Sequence, residues 1–325
     1  MTLAAKETAA PAARPSPASR SRRQHRRYRL DLKASPYLYI TPFFALFAVF
    51  GLFPLAFTAW VSTHEWSLLS DDHVFVGFGN YRTLLSDPYF WNALGNTLSI
   101  LVLATVPQLL AALLLAHLLT QRLRGQTFWR MGMLLPNVAS VVAVAVIFSQ
   151  LFGRDFGLVN WVLESLGAGR IDWQAGSATS HIAIAAMVAW KWTGYNALIY
   201  LAAMQAVPRE VYEAAHLDGA SRMQQLFLVT VPMIRPTIVF TAIVSTIYGL
   251  QVFAEPQLFG GGGPNGVTGG ASRQFQTLTL YLYEHGFNRG FEFGYASAVA
   301  WTMFAVIVVV AVLNYLFIRR IRSDS

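Results

Sequence analysis

The chain has 325 residues, no cysteine, a net charge of +8 and only 12% charged residues, whereas about 25% of residues in soluble domains are charged. Hydrophobic residues make up 55% and the mean hydropathy is +0.44, which argues against a soluble enzyme and against a chain disordered over most of its length. The lack of cysteine excludes disulfide frameworks, cysteine-based zinc sites, iron–sulfur clusters and thiol nucleophiles.

The N-terminal segment Met1–Pro36 is rich in Ala, Pro, Ser and Arg and has no apolar periodicity. It predicts a disordered, basic cytoplasmic tail. The first apolar run begins near residue 37 and is too long for a secretory signal peptide. The arginines between Arg20 and Arg29 favour a topology signal that contacts anionic lipid headgroups over an RNA-binding segment.

Six apolar runs follow the tail, each close to the ~20 residues that a helix needs to cross the hydrocarbon core. We expect spans at Tyr37–Trp60, Leu94–Leu119, Phe128–Phe152, Ile182–Ala206, Thr237–Phe253 and Tyr295–Phe317. The sequence therefore predicts an all-α polytopic membrane protein with six transmembrane helices, whose membrane domain covers residues 37–325.

Lysine and arginine are distributed unevenly between the two sets of loops. Before span 1, between spans 2 and 3, between spans 4 and 5, and after span 6 lie 18 of them, and the other loops hold five. The positive-inside rule then places both termini in the cytoplasm of a cell (plasma or inner) membrane. An even number of spans requires that both termini lie on the same side.

The loop between spans 4 and 5, residues 207–236, predicts two short helices. Pro208 suits the first helical position, where its missing N–H costs nothing. Gly219 supplies the left-handed residue that ends the first helix. Ser221 and Gln224 have the spacing of a capping box, which begins the second helix.

The same loop carries an extended motif. It contains Glu213-Ala214-Ala215, then Asp218-Gly219-Ala220, and then Pro232 and Pro236. We expect the two prolines to end the second helix and to turn the chain back towards the bilayer. In residue types and spacing, the motif resembles the EAA loop of binding-protein-dependent ABC importer permeases.

The resemblance implies the type I importer permease (MetI-like) fold. It also implies that the loop is a coupling helix, which docks into a groove on a separate cytoplasmic ATPase dimer that binds ATP and Mg. The chain itself would then have no catalytic residue, cofactor or metal. We expect coupling contacts, with apolar anchors at the first and last of these positions, from Tyr212, Glu213, Ala214, Ala215, Asp218, Gly219, Ala220 and Phe227. The alternative is an ordinary helical hairpin.

Other segments resemble the sugar-transporting, MalF-like branch of this family. They are Phe78–Tyr81, Asp87–Trp91, Trp190–Asn196 and the Gly-Gly-Pro motif at Gly261–Pro264. The segment Gly266–Gln274 looks inserted, and Arg273–Tyr283 is most similar to cellobiose-type (CebF-like) permeases. The resemblance implies a sugar substrate, with a di- or oligosaccharide favoured.

Sugar sites combine aromatic faces with amide and carboxylate groups, and such residues occur in spans 4 and 5. Trp190 and Gly194 are four residues apart, and Tyr248, Gln251 and Glu255 have i, i+3, i+7 spacing, so each set can share a helix face. By resemblance to the family's sugar-contact region, the candidates for the substrate pathway are Trp190, Gly194, Asn196, Tyr248, Gln251 and Glu255. The alternative is a role in helix packing.

Lys191 places an ammonium group in the outer half of span 4. Because an unpaired charge is costly in the membrane, this side chain is expected to face protein or water. It either lines the substrate path or pairs with a headgroup or an external acid, of which Glu255 is one.

The expected partners are a second permease, the ATPase dimer, an extracytoplasmic solute-binding protein, the sugar and the lipid bilayer, with no nucleic acid. The chain contains no Gly-Lys pair and so no Walker A motif. An ion-driven secondary transporter is the main alternative, but the sequence shows neither a convincing inverted repeat nor a carboxylate in the middle of a span. A polytopic membrane enzyme is less favoured, because no catalytic cluster is recognisable.

Overall fold

The computed structural model describes residues 35–67, 73–121, 124–260, 267–288 and 290–323. The chain divides into two compact units, Met1–Thr58 and Ala59–Ser325. The predicted tail lies outside the described residues except for Ser35 and Pro36, which are helical, and the Gly-Gly-Pro motif lies outside them too.

The first unit contributes a helix, α1, that begins at Ser35 and continues into the second unit as far as Val61, with a π-helical turn at Ala48–Leu52. A two-stranded antiparallel ribbon follows, β1 (His64–Glu65) with β2 (Val74–Phe75). The remaining helices are α2 (Gly79–Ser86), α3 (Pro88–Thr120), α4 (Gln126–Val138), α5 (Val141–Leu151), α6 (Leu158–Ser165), α7 (Ser177–Gln205), α8 (Arg209–Leu217), α9 (Arg222–Met233), α10 (Arg235–Leu250), α11 (Ala254–Phe259), α12 (Leu278–Tyr283, then a π turn at Glu284–Asn288) and α13 (Phe293–Ser323).

Three of the described helices, α1, α3 and α13, are long and apolar enough to cross a membrane individually, and five spans result if each of two bent helix pairs counts as one. The one remaining predicted span, the fourth (Ile182–Ala206), corresponds to α7. Its 29 residues give a length of ~44 Å, which exceeds the hydrocarbon thickness of ~30 Å. The structure is therefore consistent with six spans.

The third predicted span, Phe128–Phe152, is not one continuous helix. Helices α4 and α5 meet at an angle of 92°, and Ala139 and Ser140 between them have extended ψ angles of 143° and 130°. Pro136, in the last turn of α4, has no N–H to donate and its ring crowds the preceding turn. The apolar run continues through the break, so hydropathy alone does not reveal it.

The fifth predicted span, Thr237–Phe253, lies mostly within α10, and a second bend precedes it. Helix α10 has only 16 residues and meets α9 at 75°, with Ile234 between them. Contrary to expectation, Pro232 does not end the second loop helix, which continues through it to Met233. Pro236 lies in the first turn of α10, where a missing N–H is tolerated.

Helices α3 and α7 form the centre of the second unit through small side chains. Fully buried alanines on both helices let the two backbones approach closely; they are Ala112, Ala116, Ala183 and Ala197. Larger buried residues such as Tyr200 and Leu226 fill the end nearest to α8 and α9. The loop between spans 4 and 5 is thus attached directly to this core.

Candidate functional site

The loop between α7 and α10 folds as a helical hairpin, residues 209–233, called here the hairpin. Its first arm, α8, ends in a Schellman motif: the amide of Ala220 donates to the Ala215 carbonyl, and that of Gly219 to the His216 carbonyl, both at 3.0 Å. Gly219 has φ +82°, so the predicted left-handed end of this helix is confirmed. Pro208 is the residue before the helix, with ψ 138°, and not its first helical residue.

The second arm of the hairpin, α9, begins with the predicted capping box. The backbone N–H of Gln224 donates to Ser221 Oγ at 3.4 Å, and the backbone N–H of Ser221 donates to Gln224 Oε1 at 2.8 Å. The arm then contains a π-helical segment at Gln225–Thr230. The end of the first arm and the start of the second both have backbone hydrogen bonds within the hairpin, so the turn between them has a fixed conformation.

The predicted coupling residues differ in their solvent exposure. Phe227 is 53% exposed, and Glu213, Ala214, Asp218 and Gly219 are also exposed, whereas Ala215 and Ala220 are half-buried. Tyr212 is half-buried and its hydroxyl lies 3.1 Å from Thr230 Oγ1, so it joins the two arms. Leu217 and Leu228 are exposed too; they add apolar surface to the hairpin and were missed in the sequence.

A cavity of about 320 Å³, with an apolar wall that carries several polar groups, lies between α3, α7 and α10. Four of the six predicted pathway residues line it: Asn196, Tyr248, Gln251 and Glu255. Helix α10 ends at Leu250 and Glu255 belongs to α11, so the expected single face of one helix is wrong although the three residues of that set still converge.

The cavity wall holds a cluster of amide, hydroxyl and aromatic groups. The amides of Asn196 and Gln108 donate to Ser245 Oγ at 3.3 and 3.4 Å. The rings of Trp192 and Tyr248 lie with centroids 5.0 Å apart and planes inclined by 32°. Gln108 and Ser245 were not among the predicted residues, although a glutamine inside an apolar helix is a recognisable signal.

One ion pair lies in the same wall. Lys191 Nζ is 3.6 Å from Glu255 Oε1, and the two side chains are only 15% and 10% exposed. The sequence left open whether Lys191 lines the substrate path or pairs with an acid; the structure shows the pair with Glu255 and places it in the cavity wall. Among the described residues that line the cavity, these two carry the formal charges, and they neutralise each other.

The other two predicted pathway residues lie elsewhere. The Trp190 ring packs against Phe148, with centroids 5.5 Å apart. A Cβ on Gly194 would collide with the backbone carbonyl of Met133 in α4. Trp190 and Gly194 do share the expected face of α7, but that face packs on α4 and α5 and not on the cavity.

A buried hydrogen-bond network orders the segment before α12. The Glu284 carboxylate, 1% exposed, accepts from Arg273 Nη2 at 2.6 Å and from Gln276 Nε2 at 2.7 Å. The backbone N–H of Thr268 donates to it at 3.0 Å. The carbonyl of Arg273 accepts from the Asn96 amide at 3.0 Å, so the described part of the inserted-looking segment is fixed to α3.

The chemistry available at the cavity is that of noncovalent binding. Amides and hydroxyls offer directional hydrogen bonds, and four aromatic rings offer apolar faces. In the ranges that the structure describes, no group of three or more His, Asp or Glu side chains is placed to hold a metal ion.

Comparison with known proteins gives consistent matches. Residues 98–323 match the model of the family described as "Binding-protein-dependent transport system inner membrane component". The chain is similar to the lactose transport system permease protein LacF of Rhizobium radiobacter, with 36% identity over 86% of this chain and 91% of LacF. It is 33% identical to the arabinooligosaccharides transport system permease protein AraP of Bacillus subtilis, over 87% and 88% of the two chains. In fold it matches a chain of a bacterial ABC transporter involved in the import of the acidic polysaccharide alginate, with a TM-score of 0.74 and 22% identity over 91% and 99% of the two chains.

Proposed function

The chain belongs to the family of binding-protein-dependent transport system inner membrane components, and we propose from this premise that it imports a sugar of the di- or oligosaccharide class. It is a membrane-embedded permease subunit, not an enzyme. In our proposal it forms the pathway with a second permease. Separate ATPase subunits drive the cycle, and an extracytoplasmic solute-binding protein delivers the sugar. Among the named relatives, LacF and AraP belong to transport systems for lactose and for arabinooligosaccharides.

The observation that carries this proposal is the connection of the hairpin to the cavity. Its first arm follows α7, which carries Lys191 and Asn196, with only residues 206–208 between them. Its second arm joins α10, which carries Ser245 and Tyr248, through Ile234 alone. A force on the hairpin therefore acts on two walls of the cavity by the shortest covalent route.

This connection supports a coupling mechanism. When ATP closes the ATPase dimer, the dimer pushes on the exposed residues Glu213, Ala214, Asp218 and Gly219 of the hairpin, with Phe227 as the apolar anchor. Helices α7 and α10 then shift relative to α3, and the cavity opens on alternate sides of the membrane. The sugar binds to Asn196, Tyr248 and Gln251 by hydrogen bonds and stacking.

The same proposal sets the orientation: the hairpin and both termini face the cytoplasm, as the distribution of Lys and Arg favours. Because the chain has no cysteine, a single cysteine introduced at His216 or at Ala168 reports on which side of the membrane that position lies. A membrane-impermeant maleimide should label the Ala168→Cys variant in intact cells and leave the His216→Cys variant unlabelled until the cells are opened. The reverse pattern would contradict the orientation.

Uptake of labelled di- and oligosaccharides by a strain lacking this chain, complemented with variants, tests the function. Tyr248→Ala removes a cavity ring, and aromatic contacts are worth about 0.5–1.5 kcal/mol, so we expect uptake to fall by about 3–10-fold. Trp190→Ala is the matched control, because this ring packs on Phe148 outside the cavity, and it should retain uptake. Equal losses in both variants would exclude the assigned pathway.

Uptake driven by an ion gradient without ATP would instead establish a secondary transporter.

A further inference from the structure

A second, larger cavity lies beside the hairpin. Its volume is about 610 Å³, and the end of α3, the start of α4, the end of α7 and both arms of the hairpin enclose it. Most of its lining is polar or charged, including Gln121, Gln126, Arg130, Arg209 and Arg222. The mechanism above assigns no role to this cavity.

The charged groups of this cavity are of one sign. Three arginines line it, Arg130 from α4, Arg209 from α8 and Arg222 from α9, and its described lining contains no aspartate or glutamate. None of the three forms a salt bridge with the residues that the structure describes. Three guanidinium groups without counter-charges produce a positive potential in a partly enclosed space, where it is screened less than at an open surface.

Hydrogen bonding in the cavity is incomplete. Arg222 Nη1 donates to Gln121 Oε1 at 2.8 Å, and Gln126 Nε2 donates to the Gln121 carbonyl at 2.7 Å. The Nε of Arg130, in contrast, is buried and has no hydrogen-bond partner in the described structure. A buried donor left unpaired is destabilising, and an acceptor bound in the cavity within reach of this Nε would satisfy it.

We propose that this cavity binds a phosphate group. A guanidinium presents a planar set of donors that matches phosphate oxygens, so arginines from three elements can hold one such anion by charge-assisted bonds. The phosphate comes either from an anionic lipid headgroup, which basic pockets between transmembrane helices bind, or from free phosphate. By linking Arg130 to Arg209 and Arg222, the anion fastens both arms of the hairpin to α4. This inference does not depend on the identity of the transported sugar.

The test uses the purified full-length chain, first with phosphatidylglycerol or phosphatidylcholine in native mass spectrometry, and then with inorganic phosphate in equilibrium dialysis. We expect phosphatidylglycerol or inorganic phosphate to be retained, and phosphatidylcholine to be lost. Arg130→Gln and Arg209→Gln should each weaken retention by about tenfold or more, since a hydrogen bond to a charged group contributes about 1.5–3 kcal/mol. Retention of the lipid alone identifies a headgroup, and retention of inorganic phosphate alone identifies the free anion.

The matched control is Arg154→Gln, because Arg154 is exposed and pairs with Asp172 outside this cavity; it should bind as the unaltered chain does. Arg209 is exposed, so its variant keeps the test valid if Arg130→Gln fails to fold. No retention of either probe, or equal retention in all variants, would overturn the proposal. Co-purification with the ATPase is measured for the same variants. Variants that no longer co-purify with the ATPase but still retain phosphate would assign the arginines to the ATPase contact and would also overturn the proposal.

Discussion

A Gly219→Val variant is expected to insert into the membrane normally and to lose ATP-driven uptake by about 5–30-fold. Gly219 has φ +82°, and a Cβ at this position would meet no atom within 4 Å, so the substitution adds no clash. Its cost is that of a left-handed backbone, about 1–2 kcal/mol for an ordinary residue and more for a β-branched one. To avoid this cost, the backbone at position 219 leaves the left-handed conformation. The Schellman motif is then lost, and the angle between α8 and α9 changes. Uptake, membrane content and co-purification of the ATPase measure the effect.

The chain itself offers a closely matched control. Gly167, after α6, also has φ +82° and open space around its missing Cβ. The amides of Gly167 and Ala168 close the same motif on the carbonyls of Glu164 and Leu163 at 3.0 and 2.8 Å. Gly167→Val therefore imposes the same strain away from the hairpin and should leave uptake intact. Gly219→Asn should restore most of the activity, since asparagine tolerates the left-handed region. Equal behaviour of the two valine variants would refute the coupling role.

A Lys191→Met variant is expected to lower the free energy of unfolding by about 3–5 kcal/mol. The substitution leaves Glu255, which is 8% exposed, as a buried carboxylate without its cation, and breaking such a pair is more costly than replacing it entirely. The double variant Lys191→Met with Glu255→Gln should therefore recover most of the loss. Titration with SDS in mixed micelles measures four proteins, the unaltered chain, Lys191→Met, Glu255→Gln and the double variant, and the double-mutant cycle isolates the coupling between the two residues.

Arg170→Met is the control for this cycle. Arg170 pairs with Glu164, but the two side chains are 51% and 41% exposed, and exposed pairs contribute about 0–1 kcal/mol. The expected loss is correspondingly small. A Lys191→Met protein as stable as this control, or a double variant less stable than either single variant, would show that the pair is not an important stabilising contact.

Features encoded by neighbouring residues were predictable. The capping box at Ser221 and the left-handed turn at Gly219 depend on hydrogen bonds within a few residues, so the sequence contains all the information they need. The long helices α3 and α13 follow from long, strongly apolar runs, and α7 follows from a run that includes Lys191. The bilayer core offers no hydrogen-bond partner to the backbone, so a long apolar run satisfies its own N–H and C=O groups by forming a helix.

Features that depend on contacts between helices were not predictable in the same way. The sequence places Trp190 and Gly194 on one face of α7, but only the position of α4 determines that this face is packed and that Trp192 faces the cavity instead. The bend after Pro136 leaves no trace in the hydropathy of the run. Tyr212 was assigned to a docking surface, whereas its hydroxyl bonds to Thr230, 18 residues away.

The close approach of Gly194 to Met133 also restricts how the protein changes shape. A slide of α7 along α4 by one turn would bring Trp190 or Leu198, which lie on the same face as Gly194, opposite the Met133 carbonyl, where a Cβ at position 194 already collides. This contact therefore fixes the register between the two helices, and in the proposed cycle we expect α4 and α7 to move together. The bends at Ser140 and Ile234 are then where we expect the angles between helices to change.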